Sequence, residues 1–332
     1  GKKTDEVSKI LKGQPRTEVK ILVKRLGEKN QIEKTLMREE IKIKSVSYSG
    51  MLNDHIGYIR LTGFTENAGK EVKDALEALK EKNTGMKGVV FDLRENPGGL
   101  LNEAVNIANV FLPKNQDIVS TRGKMKDLDK TYKSLNNPVD TEIPLAVLVN
   151  SHSASASEIV SGTIQDLDRG VLVGQRSFGK GLVQTTRPLS YNSQLKITTA
   201  KYYIPSGRCI QALDYSHRNE DGSVGKIPDS LVSAFKTKGG RTVYDGGGID
   251  PDFALDPQKI SPITSSLLQK NLIFDYATDY RNIAIAVAEG NGLWVDHPLR
   301  RDEIVGGICK AIKEDTLELI YEIWGIDETK LQ

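Results

Sequence analysis

The sequence predicts an α/β protein, and three observations carry that reading. Between residues 56 and 174 short apolar runs alternate with amphipathic segments, the pattern of strands and helices around a largely buried sheet. From 182 onward "LVQTT" and "LKITTAKYYI" are rich in β-branched and aromatic residues. With 332 residues, 38% of them hydrophobic and 27% charged, the chain has the balance of an ordinary globular protein and material for two or three domains.

Residues 4–12, "TDEVSKILK", predict a short helix with Thr4 as N-cap, Asp5 and Glu6 in its first turn and Gly13 as stop. Alternating stretches at 17–25 and 33–43 predict two strands. This opening is thin for a core of its own and reads as the tail of a larger module. A strand at 56–64 precedes a helix at 67–83, with Val72, Ala75, Leu76 and Leu79 on one face. An apolar strand at 88–94 runs into "ENPGGLL", and 101–112 is again helical. A strand at 145–150 leads through a Ser/Ala run into a helix at about 156–168, and 170–174 is another short strand. The polar, glycine-rich stretch 214–250 reads as loop and edge structure, and helices return from about 262 to the end. The boundaries expected are therefore 1–44, 45–260 and 261–332.

Composition excludes some functions. Lys and Arg total 46 against 44 Asp and Glu, so there is no basic surplus for nucleic acid. No apolar run approaches the roughly 18 residues of a membrane span. Cys209 and Cys309 lack metal-type spacing and read as free buried thiols. His55, His217 and His297 are scattered, and the acidic "GGGIDPD" at 246–252 lacks a calcium-loop spacing and reads as a turn.

Chemistry concentrates in three segments. "GQRSFGKG" (174–181) resembles a phosphate-binding loop, but Gly181 stands where a hydroxyl is needed and a β pattern follows instead of a helix. Lys180 has a second use, as general base for a serine, if desolvation penalises its ammonium; a plain turn lysine is the simpler alternative. "NSHSASASEIVSG" (150–162) places serines 151, 153, 155 and 157 where a buried strand enters a helix. A serine there gains from the helix N-terminus and a neighbouring amide, although Ser and Ala before Glu158 also describe simple capping. Spacing does not choose among the four. "RENPGGLL" (94–101) would expose backbone amides at Gly98 and Gly99, or would merely need glycine to turn. His152 is a rival base without a supporting acid in sequence, Asp92 reads as an anchor of the glycine turn beside Glu95, and Tyr202–Tyr203 as strand packing.

"DLRENPGG", "VNSHSASASEI", "GQRSFGKGLVQ" and "TTAKYYIPSGRCIQ", in that order, resemble the carboxyl-terminal processing proteases, serine peptidases with a Ser–Lys dyad and a PDZ domain. The resemblance runs from residue 1 to about 255. It implies Ser155 as nucleophile, Lys180 as base 25 positions later, Gln184 as the residue orienting the amine, and an oxyanion hole from Ala156 with Gly98 or Gly99, the second glycine preferred. Asp166 falls where some members carry a functional acid, although a structural carboxylate is the plainer reading. The resemblance further implies a crotonase-like α/β core, a PDZ remnant lacking its first strands and carboxylate-binding loop, a helical C-terminal extension, and no metal or cofactor. Protein or peptide substrates with accessible C-terminal tails and an extracytoplasmic location follow from it, with homo-oligomers left open. A catalytically impaired peptide-binding adaptor of the same fold is the alternative, and Cys209 replaces a more usual small polar residue.

Overall fold

The computed structural model describes residues 3–24, 30–41, 43–257 and 261–278. Residues 40–258 form one compact unit, and the described residues outside that range belong to a second.

In the second unit, helix α1 (Thr4–Leu11) precedes an antiparallel hairpin of β1 (Glu18–Val23) and β2 (Ile32–Met37). Lys3 rather than Thr4 takes the cap position, its N–H donating to Glu6 Oε2 at 3.1 Å. Arg38 donates from Nε to the Leu11 carbonyl and from Nη2 to the Ile10 carbonyl, each at 2.9 Å. These are helix-end carbonyls that have no partner within the helix. No residue of α1 is buried.

The larger unit is built on a six-stranded sheet. Its elements run β3 (Val46–Met51), β4 (Ile56–Leu61), α2 (Ala68–Lys82), β5 (Gly88–Asp92), α3 (Leu101–Phe111), β6 (Asp117–Gly123), β7 (Lys130–Lys133), β8 (Leu145–Val149), α4 (Ala156–Asp166) and β9 (Val171–Gly174). Then follow β10 (Leu182–Pro188), β11 (Gln194–Tyr203), the hairpins β12 (Leu213–Arg218) with β13 (Val224–Lys226) and β14 (Ala234–Lys236) with β15 (Thr242–Tyr244), and β16 (Phe253–Ala254). The main sheet has the order β16-β9-β8-β5-β4-β3, parallel from β16 to β4, with β3 antiparallel at the edge. Parallel neighbours need crossover connections, which α2, α3 and α4 supply. The alternation seen in sequence is this arrangement.

Apolar strand residues such as Ile59, Phe91, Val147 and Leu172 are buried with Val72, Leu76, Ile107, Phe111, Ile159 and Ile164 from the helices. Phe91 and Phe111 pack with ring centroids 5.8 Å apart at 48°. A second, antiparallel sheet has the order β10-β11-β6-β7, which leaves β10 at an edge. Strands β3, β6 and β7 carry no sequence signal of their own, because "VSYSGM", "DIVSTRG" and "KTYK" mix serine, glycine and charge through the strand. Within the polar stretch 214–250 the chain forms short hairpins. After the larger unit comes α5 (Pro262–Gln269), capped by Ser261, whose hydroxyl accepts from Thr264 N–H at 3.2 Å. Most of the remaining expected helices, with His297 and Cys309, lie outside the described residues.

Because β5, β8 and β9 are parallel neighbours, the loops at their carboxyl ends emerge at one edge of the sheet. Those loops hold Gly98–Gly99, Ser155 and Lys180.

Candidate active site

Ser155 occupies the junction between the loop after β8 and the first turn of α4, with φ 57° and ψ −111°. A non-glycine residue in this region carries about 1–3 kcal/mol of strain, tolerated only where neighbours enforce it. The structure separates the four serines. Ser153 and Ser157 are fully buried, their hydroxyls donating to Leu93 O at 2.8 Å and to Asn96 O at 2.9 Å. Ser151 is exposed, whereas Ser155 is half-buried on the strained turn.

Glu158, three residues into the helix, holds that turn. It is fully buried and accepts four hydrogen bonds. Oε2 takes the N–H groups of Ser155 at 2.7 Å and Lys180 at 2.8 Å. Oε1 takes the Ser177 hydroxyl and the Gly179 N–H, both at 2.6 Å. Burial pushes the carboxyl above its ordinary value, while the four donors pull the other way. The arrangement is one arm of a capping box extended to a second loop. Two further bonds fix that loop: Phe178 N–H donates to Ser153 O at 3.0 Å, and Ile249 N–H to the Ser177 hydroxyl at 2.7 Å. The spacing Ser-x-x-Glu is legible as a cap, but nothing in it announces the partners about twenty residues later.

The glycine turn lies against the serine turn. A Cβ on Gly98 would sit 2.6 Å from Ala154 O, 2.8 Å from Ala156 N and 2.9 Å from Ser155 Cβ, and one on Gly99 2.4 Å from Phe64 O. Both glycines have positive φ, 94° and 155°. Gly98 N–H already donates to Asn96 Oδ1 at 2.9 Å. The N–H groups of Gly99 and Ala156 have no hydrogen-bond partner among the described residues. They are two unspent donors, that of Ala156 in the first turn of α4 and that of Gly99 in the turn that packs on Ser155 through Gly98.

Lys180 follows Gly179, which is held at φ 87° and packed so closely on Ala212 that a Cβ would lie 2.2 Å from that methyl. The backbone of Lys180 is anchored through Glu158, and its side chain is exposed, so the desolvation expected from sequence is not supplied by the chain alone. Gln184, also exposed, sits at the β-bulge between Val183 and Gln184 in β10, a break that re-aims side chains.

The other candidates have structural partners. His152 Nδ1 lies 3.1 Å from Glu95 Oε1, and Asn150 Nδ2 donates to the same oxygen at 2.6 Å. Asp92 is buried at the end of β5, where its carboxylate accepts from Arg94 N, Nε and Nη2 and from the Tyr58 hydroxyl at 2.6 Å. Burial pushes this carboxyl up, but those bonds outweigh it and hold it below its ordinary value. Asp250 pairs with Arg176, and Asp252 accepts from Gln165 Nε2 and Leu172 N–H, so the 246–252 acids serve the turn. Tyr202 is buried, and Arg122 lies 4.7 Å from the centroid of the Tyr203 ring. Asp166, at the far end of α4, faces Arg208 in a fully buried pair at 2.9 Å.

Comparison with known proteins bears on the same segments. Residues 55–216 match the family model described as Peptidase family S41. A carboxy-terminal-processing protease of Bartonella bacilliformis is 39% identical over 215 residues, covering 64% of this chain and 49% of that protein. A probable CtpA-like serine protease of Staphylococcus aureus is 40% identical over 212 residues, 63% of this chain and 41% of that one. The chain thus spans less than half the length of these curated relatives. The solved photosystem II D1 C-terminal processing protease superposes with a TM-score of 0.50 at 28% identity, covering 76% of this chain and 59% of that chain. A family model, curated relatives and a solved structure agree, and residues 55–216 of the chain are similar to peptidase family S41.

Proposed function

We propose that this chain is a serine peptidase that cleaves polypeptides near their C-terminal ends, with Ser155 as nucleophile and Lys180 as general base. One observation carries the reading: the backbone N–H groups of Ser155 and Lys180 share a single oxygen, Oε2 of the buried Glu158. The loops bearing the two side chains are therefore locked to each other, which is what a dyad drawn from separate loops requires.

In this mechanism the Ser155 hydroxyl attacks the scissile carbonyl carbon and its proton passes to the neutral Lys180 amine. The tetrahedral oxyanion accepts hydrogen bonds from the Ala156 and Gly99 N–H groups. Gly98 is the poorer donor, since its N–H is committed to Asn96. Losing one such donor costs about 10²–10³ in rate. Collapse breaks the C–N bond, Lys180 returns the proton to the departing amine, and water then releases the acyl group from Ser155. Gln184 orients the lysine amine from the bulge in β10. A polypeptide lying over Lys180 would shield it from solvent and supply the missing desolvation.

The same reading takes residues 45–260 as a crotonase-like peptidase core, 1–44 as a PDZ-like remnant and 261–332 as a helical extension, with an extracytoplasmic site of action. The names of the relatives support tail-processing of protein substrates. Mass-spectrometric cleavage of an unstructured polypeptide with an apolar C-terminus tests it. Cleavage is expected from this chain and from His152→Ala, and is expected to vanish in Ser155→Ala and Lys180→Ala. Equal cleavage by all four proteins would refute the assignment.

A further inference from the structure

We propose that Asn96 is a positioning residue for this reaction, clamping the glycine turn against the serine turn so that the Gly99 and Ala156 N–H groups converge on one point. The inference rests on the Ser155–Lys180 reading above.

Asn96 is fully buried between the two turns. Its side chain donates from Nδ2 to the carbonyl of Leu61, the last residue of β4, at 2.9 Å, and its Oδ1 accepts from Gly98 N–H at 2.9 Å. Its own carbonyl accepts from Ala154 N–H at 3.0 Å and from the Ser157 hydroxyl at 2.9 Å. Its N–H donates to Leu93 O, just beyond β5, at 3.3 Å. One residue thereby joins the ends of β4 and β5, the glycine turn and both neighbours of Ser155–Ala156.

A local Asx turn would need only the Oδ1 bond to Gly98. The Nδ2 bond to β4 and the two bonds accepted by the carbonyl reach beyond the turn, and they fix where it lies relative to Ser155. The chemistry is also selective. Leu61 O can only accept and Gly98 N–H can only donate, so a side chain with one donor and one acceptor at this spacing is required. By occupying the Gly98 N–H, Asn96 also decides which amide of the pair stays open to an oxyanion.

The test is steady-state peptide cleavage by Asn96→Asp and Ser157→Ala, with the affinity of each for a peptide aldehyde that forms a hemiacetal on Ser155. Aspartate keeps the shape and removes the Nδ2 donor, while Ser157→Ala removes one bond to the Asn96 carbonyl. For N96D, kcat is expected to fall about 10²-fold, the cost of misplacing reacting groups by about an ångström. KM should stay unchanged and aldehyde affinity should weaken by a similar factor. Binding of the intact peptide to the double variant S155A/N96D should equal its binding to S155A. S157A should show the same pattern with a smaller drop, and it decides the matter alone if N96D does not fold. Unchanged kcat in the folded variants would overturn the inference, as would a loss of peptide binding in step with kcat. If Ser155→Ala itself kept cleaving, both readings would fall; if Ser155→Ala were inactive while N96D and S157A turned over normally, only the role of Asn96 would.

Discussion

Replacing Glu158 by glutamine keeps its volume but turns one acceptor oxygen into a donor, which must then face N–H or O–H groups. Whichever way the amide turns, its NH₂ meets either the Ser155 and Lys180 amides or the Ser177 hydroxyl and Gly179 amide. Each buried donor left unmet costs about 1–3 kcal/mol, so E158Q should lose on the order of 2–4 kcal/mol of stability. Its kcat should fall at least about tenfold because the two loops are no longer pinned together. Thermal melts and turnover of the folded fraction measure the two effects separately. At this scale the sequence disclosed the residue types but not the choice among them. Four alternating serines present one pattern, and only burial sorts them, with Ser153 and Ser157 sealed into backbone contacts and Ser155 on the strained turn. The wider roles of Glu158 and Asn96 were hidden for a simpler reason: beyond the local bonds to Ser155 and Gly98 their partners include groups on other segments, and no local spacing records those bonds.

Helix α4 shows how one element serves two purposes at its two ends. Its N-terminus carries Ser155, Ala156 and Glu158, while Asp166 at the other end lies about 16 Å away at 1.5 Å per residue. There Asp166 Oδ2 accepts from Ser206 N–H at 2.9 Å, and Arg208 donates to Gln165 Oε1 at 2.7 Å and to Tyr244 O at 3.1 Å. Burial pushes the Asp166 carboxyl up and the Arg208 guanidinium down, each countered by the other's charge. Neutralising one partner strands the other's charge in the interior, at about 3–5 kcal/mol. Asp166→Asn should therefore lower the melting temperature sharply while leaving kcat of the folded fraction nearly intact. The double variant D166N/R208M should recover much of the loss. A kcat that collapsed without a change in melting would instead make Asp166 part of the chemistry. Elements as such were legible wherever the strand is a continuous apolar run, as in β5, β8 and β9. In the second sheet β10 and β11 were legible from their β-branched runs, whereas β6 and β7 were not, since β7 is four residues of lysine, threonine and tyrosine placed by pairing with β6.

For the whole molecule, the buried apolar cluster runs from Ile59 to Ile249, entirely within the unit formed by residues 40–258. A fragment of residues 40–258 should consequently fold by itself and unfold in one cooperative transition, followed by circular dichroism in denaturant. Broad, non-cooperative unfolding of that fragment would show that its stability depends on the flanking chain. The α/β character of this unit was readable because alternation of period-2 and period-3.6 patterns is a property of the chain itself. Strand order was not, since it depends on crossovers that no local pattern encodes.

The backbone at Ser155 has a consequence of another kind. Its φ of 57° and ψ of −111° suit glycine better than any residue with a Cβ. Mutation favouring heat resistance alone would therefore tend to erase the hydroxyl, so under the proposed role of Ser155 selection for durability and selection for turnover pull this one codon in opposite directions.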